Sequence, residues 1–144
     1  MTNLSPYLCC KDATRAIEFY RKAFGAKETM RLAEPSGRIG HAELEIAGAP
    51  VMLADEYPDF GILSPTSIGG TPVKLHLYVD DVDALVARAV AAGAKVVRAV
   101  EDQFYGNRSG QIEDPFGHVW FVATRKEHLS TAEIQRRYDK LMGK

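Results

Sequence analysis

The sequence predicts an α+β fold made of two tandem βαβββ modules, whose curved mixed sheets surround a cleft, plus a C-terminal helix. Three observations carry this: a repeated strand–acidic turn–helix segment, three strand-like runs behind each copy, and a Pro/Gly/Ser-rich stretch between the copies. The repeat is YLCCKDATRAIEFYRKAFGAK (Tyr7–Lys27) against HLYVDDVDALVARAVAAGAK (His76–Lys95). Gly25 and Gly93 are 93 − 25 = 68 residues apart, and Asp12 and Asp80 share that spacing. In the first copy Ala16, Ile17, Tyr20 and Phe24 form an apolar helical stripe; in the second, Leu85, Ala89 and Ala92 do so. Asp12, or Ala13–Thr14, is placed to start the first helix and Asp81 or Asp83 the second, with Gly25 and Gly93 in left-handed terminating positions.

Behind the first helix come KETMRLAE, IGHAELEIAG and PVMLADE; behind the second come KVVRAVED, RSGQIEDP and HVWFVAT. A Ser-Gly-x-Ile pattern recurs in each half, at Ser36–Ile39 and Ser109–Ile112. The boundaries expected are module one at about 4–56, a linker at 57–72, module two at 73–125 and a helical tail at 126–144. Ser130-Thr131-Ala132-Glu133 is a capping-box pattern for the tail helix. Asp114-Pro115-Phe116-Gly117 is a turn, because Pro fixes φ and Gly permits φ above zero. One module leaves a sheet face bare, so two faces must pair, within a chain or across a dimer.

At 144 residues the chain is long enough for one domain with a real core. A net charge of −1 gives no electrostatic reason to expect nucleic acid or a membrane surface. No apolar run approaches a bilayer span, and the N-terminus does not read as a signal peptide. Cys9 and Cys10 are adjacent on a strand and point to opposite faces, which disfavours a disulfide between them and points to a reducing cytoplasm.

The doubled unit, with DATRAIEFYRKAFGAK, VDDVDALVARAVAAGAKV and DPFGHVWFVAT, resembles the vicinal oxygen chelate superfamily. That group includes glyoxalase I, extradiol dioxygenases, and fosfomycin and bleomycin resistance proteins. The stretch DQFYGNRSGQIEDPFGHVW (Asp102–Trp120) is similar to the PhnB-like branch. Metalloenzymes of the superfamily place His or Glu on four strands facing the cleft. The resemblance puts those positions at Ser5, at Met52 or Leu53, at Lys74 and at Phe121. Leu, Phe and protonated Lys offer no lone pair, and a thioether suits only soft metals. No cofactor and no metal are therefore expected. A shifted set of His41, Glu43 and His76 stays open as an alternative, while His118 reads as structural.

Strand alternation points Tyr7, Cys9, His76, Tyr78, Val119 and Phe121 into the cleft, and Trp120 under a helix. Phe104, Tyr105 and Arg108 stand in a polar loop as one rim, Tyr57 and Phe60 as a second, and His41 is a further ligand contact. Such a pocket suits a flat or greasy small molecule. The expected function is metal-free sequestration of a small aromatic natural product or xenobiotic by a bleomycin-resistance-like homodimer. The alternatives are a metal-dependent lyase, isomerase or dioxygenase of the glyoxalase type, and metal-free lyase or isomerase chemistry with His76 or Arg108 as the polar actor.

Overall fold

Two copies of a strand–helix–three-strand unit follow one another in the structure, a computed structural model that describes residues 2–143. The first holds β1 (Tyr7–Cys10), α1 (Ala13–Phe24), β2 (Lys27–Ala33), β3 (Ile39–Ile46) and β4 (Ala49–Asp55). A short helix α2 (Pro65–Ile68) interrupts the linker. The second copy holds β5 (Lys74–Tyr78), α3 (Val82–Ala91), β6 (Lys95–Asp102), β7 (Asn107–Glu113) and β8 (Val119–Arg125), and helix α4 (Thr131–Leu141) closes the chain.

Each helix starts where a short acceptor can satisfy its free amides. The Asp12 carboxylate accepts from the Arg15 amide at 3.2 Å, and Asp81 accepts from Ala84 at 3.1 Å. Ser130 accepts from the Glu133 amide at 3.1 Å, as its capping box requires. The true repeat offset is therefore 81 − 12 = 69, one more than the glycine spacing. A second pair of bonds shares it: Asp55 Oδ1 accepts from the Ala13 amide, and Thr124 Oγ1 from the Val82 amide. The glycines fall at 68 because α3, with 10 residues, is two shorter than α1, with 12, while Gly93 stands one residue beyond the α3 cap and Gly25 is itself the α1 cap. Gly25, at φ 66°, is the left-handed cap of α1, whereas α3 is capped by right-handed Ala92 and Gly93 follows at φ 120°. The Ser-Gly-x-Ile resemblance is a coincidence of sequence: Ser36–Gly37 is a turn before β3, while Ser109–Gly110 lies inside β7.

The sheets have orders β1-β4-β3-β2 and β5-β8-β7-β6, with the first pair of each parallel and the rest antiparallel. One face of each is covered by its helix. Leu8, Cys10, Leu44 and Leu53 meet Ala16, Ile17 and Tyr20 in the first, and Leu77, Ile112 and Val122 meet Val82, Leu85 and Ala89 in the second. The two halves share one core because α1 packs on α3, where Arg88 Nε donates to the Ala23 carbonyl at 3.2 Å. The opposite faces stay open: Tyr7 is 54%, Leu32 58% and Tyr78 49% exposed.

The Asp114–Gly117 turn binds the halves together. Buried Asp114 accepts from the Tyr20 hydroxyl of α1, from Trp120 Nε1 at 3.0 Å, and from the Phe116 and His118 amides at 2.9 and 3.0 Å. Trp120 lies on the helix side, its ring 4.7 Å from that of Phe24. Gly117 needs to be glycine twice over: its φ is 89°, and a Cβ there would lie 2.8 Å from the Pro65 Cβ.

The linker is tied down by Glu56, whose Oε1 accepts from the Ser64 amide at 2.8 Å and from the Ser64 hydroxyl. Hydrogen bonds from Ser64 and Ser67 to the charged form hold the Glu56 carboxyl down to about 2. A depressed carboxyl stabilises the fold above its unfolded value of 4.5, and that stability is lost as pH falls towards about 2. The stability difference between the protein and Glu56→Gln in urea melts is thus expected to be full at neutral pH and to shrink below 4.5. A difference that stays constant down to the acid limit contradicts this.

Candidate functional site

Three clusters of side chains occupy the open faces and their edges. On the first sheet the register sets Tyr7 opposite Met52 and Met52 opposite Glu43. Tyr7, Met52, Glu43 and, two residues from Glu43, His41 therefore share the open face. The Tyr7 hydroxyl lies 2.7 Å from His41 Nδ1, and His41 Nε2 lies 3.0 Å from Glu43 Oε2. Cys9 is on the same face, its thiol pushed up by burial first and then by the charges of Glu56 and Asp55, so it is a poor nucleophile.

On the second sheet His76 stacks on Phe121, with ring centres 5.1 Å apart at 11°, and its ring centre is 4.6 Å from that of Tyr78. Burial pulls the His76 imidazole below its ordinary value, so it is neutral at pH 7. The Tyr78 hydroxyl accepts from Asn107 Nδ2 at 3.2 Å, and the Arg125 guanidinium lies 5.2 Å from the ring centre. These two donors, Asn107 the larger, hold the Tyr78 phenol below the usual tyrosine range. Spectrophotometric titration is expected to show one early-ionising tyrosine that moves up in both Asn107→Ala and Arg125→Ala. An unchanged titration in both variants contradicts that assignment.

The halves meet along the β5 edge in a cavity of about 400 Å³. Pro6, Ile46, Pro50 and Val51 form one wall, and Leu75, His76 and Tyr78 the other. Tyr78 also borders a more polar hollow of about 280 Å³ beside Tyr105, Asn107 and Arg125, under the start of the C-terminal segment.

The remaining expected contacts are dispersed. Arg108 is a correction: its neighbour across the ladder is Thr124, which caps α3, so its side chain reaches the helix side and binds Asp83 at 2.8 Å and Asp102 at 3.2 Å. It is not on the cleft rim. Phe104 is also turned away, stacked on Tyr138 of α4 with ring centres 5.6 Å apart. Tyr105 stays on the open side, 3.2 Å from the Ser109 hydroxyl. Tyr57 and Phe60 stack on each other at 4.7 Å, with Arg38 over Tyr57, and neither borders the β5 cavity. His118 donates across the halves to the Cys9 carbonyl at 2.8 Å. Arg125 and Asn107 are site residues that the sequence reading missed. Arg125 is four residues beyond Phe121 and so legible by alternation; Asn107 carries no such signal.

A sequence profile described as the Glyoxalase/Bleomycin resistance protein/Dioxygenase superfamily matches residues 4–122. The chain belongs to that superfamily. An uncharacterized protein of Mycobacterium tuberculosis is 49% identical over 135 residues, covering 92% of this chain and 79% of that protein. The crystal structure of TioX from Micromonospora sp. ML1 is 28% identical with a TM-score of 0.68, covering 87% of this chain and 99% of that one. The PhnB protein from Bacillus cereus, at 16% identity and a TM-score of 0.68 over 85% of this chain and 99% of that one, shares the fold.

The superfamily's metal positions can be tested on this structure. With the 69-residue offset, Met52 in one half corresponds to Phe121 in the other, and Ser5 to Lys74. Ser, Met, Lys and Phe do not fit a divalent cation. Nor is the set of His41, Glu43 and His76 brought together: both His41 nitrogens are engaged on sheet one, and His76 is stacked on sheet two. Among the described residues no three of His, Cys, Asp and Glu come together as metal ligands do. No described helix is long and apolar enough to cross a membrane.

Proposed function

We propose that this superfamily member binds a small, flat aromatic natural product or xenobiotic by reversible burial, without metal or cofactor, as a cytoplasmic homodimer. The observation that carries the reading is the cavity at the β5 edge, about 400 Å³ and walled mainly by aliphatic and aromatic side chains. That volume lies within the range of small-ligand sites, about 300–1,000 Å³. His76, stacked and neutral, and Tyr78, with its polarised hydroxyl, give it one flat surface and one hydrogen-bonding group. Each aromatic contact contributes about 1 kcal/mol beyond its area. The half-exposed Tyr7, Leu32 and Tyr78 make the open faces natural surfaces for a second copy to cover.

Native mass spectrometry after exposure to a panel of aromatic antibiotics tests this. The expected result is a dimer that retains ligand and releases it unchanged. Stoichiometric divalent metal in the purified protein, with turnover abolished by chelators, would sink the proposal in favour of a glyoxalase-type enzyme.

A further inference from the structure

Arg125 ends β8 on the open face of the second sheet, and its guanidinium lies 5.2 Å from the ring centre of Tyr78. Among the described residues it is in no ion pair, whereas Arg108 holds Asp83 and Asp102, and Arg137 holds Glu127 and Glu133. The corresponding place in the first half, one repeat earlier, is Glu56, whose carboxylate is taken up by Ser64. Arg125 therefore presents a charge that no carboxylate of this chain answers.

Further donors converge beside it. Asn107, 7% exposed, gives its Nδ2 to the Tyr78 oxygen at 3.2 Å. The Tyr78 hydroxyl is the acceptor of that bond, so its own proton is left to donate outward. Asn107 first and Arg125 second hold the Tyr78 phenol below the usual tyrosine range, so the spot favours negative charge on oxygen. Tyr78, Tyr105, Asn107 and Arg125 line the hollow of about 280 Å³ beside Glu127 and His128. Its one carboxylate does not cancel the cation, because Glu127 is bound by Arg137 at 3.0 and 3.2 Å. Asp80 borders an adjoining hollow with Arg125 but forms no ion pair with it. Tyr78 is also the one residue that this polar hollow shares with the apolar cavity at β5. Its ring centre is 4.6 Å from that of His76 and 5.2 Å from the guanidinium, so the stacking surface and the cation stand two ring spacings apart.

We infer that Arg125 and the Tyr78 hydroxyl form a carboxylate subsite, and that the ligand is an aromatic acid: fused rings in the β5 cavity with a carboxylate on the ring or one carbon from it. The inference rests on the aromatic-binding reading and narrows its ligand class. The guanidinium fork offers the carboxylate two parallel N–H bonds, and the tyrosine proton supplies a third. A neutral ligand of the same shape covers Tyr78 and leaves the guanidinium without an anion; a cationic one meets repulsion. No bond is made or broken, so the ligand leaves unchanged.

Calorimetric titration with 1-naphthaleneacetic acid and with its neutral isostere 1-naphthaleneacetamide tests this. The acid is expected to bind at least about tenfold tighter, because hydrogen bonds to charged groups are worth that much. Arg125→Gln is expected to bring the ratio of the two affinities to within about twofold of unity, and Arg125→Lys to keep part of it, since lysine retains the charge without the fork. The ratio is read within each variant, so damage to the cavity lowers both affinities and leaves the ratio in place. Equal affinity for acid and amide in the protein, or a preference that survives Arg125→Gln, overturns the carboxylate subsite; aromatic binding stands wherever the amide still binds. Failure of both compounds to bind also overturns the subsite, and if no aromatic antibiotic is retained either, the aromatic-binding reading falls with it.

Discussion

Asp114→Ala is expected to destabilise the protein by about 4 kcal/mol. The carboxylate is 2% exposed and accepts from the Tyr20 hydroxyl, the Trp120 indole and two backbone amides. Truncation leaves those donors facing a void, and each buried unsatisfied donor costs about 1–3 kcal/mol, with less than full additivity. In the intact protein burial first and the Asp114 charge second hold the Tyr20 phenol well above the ordinary range, so Tyr20 is the donor of this bond. The loss also crosses the module boundary, since Tyr20 belongs to α1 and Asp114 to the turn before β8. Urea denaturation at neutral pH measures it. A destabilisation under about 1 kcal/mol would show that water replaces the carboxylate, and the turn is then not what joins the halves.

Ala49→Trp is expected to weaken retention of an aromatic ligand by about 100-fold, or about 2.7 kcal/mol, with the fold intact. Ala49 is exposed on the first position of β4 and lines the cavity at the β5 edge, so an indole there occupies the space meant for the ligand. Phe60→Ala is the matched control. Phe60 is 75% exposed and stacked on Tyr57 away from the cavity, so its removal is expected to leave affinity within about threefold. Titration of an antibiotic that native mass spectrometry shows to be retained distinguishes the two. Equal loss in both variants, or loss in Phe60→Ala alone, moves the ligand to the linker aromatics and away from β5.

Local chemistry made the modules readable. Asp12 and Ser130 cap helices because short acceptors satisfy free amides wherever the chain turns into a helix. Trp120 is buried and Phe121 is on the open face because neighbours on a strand alternate. Two inferences from spacing failed for one reason, that equal spacing need not mean equal place. Glycines 68 apart concealed a 69-residue offset because one helix is shorter, and the two Ser-Gly-x-Ile runs fall on a turn and on a strand.

The residues alone determined a doubled βαβββ chain, its linker and its tail helix, properties that follow from short-range geometry: 2-residue and 3.6-residue periods, caps and turns. The metal positions at Ser5, Met52 or Leu53, Lys74 and Phe121 came from the resemblance to the superfamily instead, and the 69-residue offset of the structure selected Met52. Only the tertiary structure decided that Arg108 turns to Asp83, that Tyr7 reaches His41 across β4, and that the apolar cavity opens at β5. Each depends on which residues of distant strands lie opposite one another. That register is set by burial of one whole face at once, and a shift of one residue would exchange every side chain between the core and the open side.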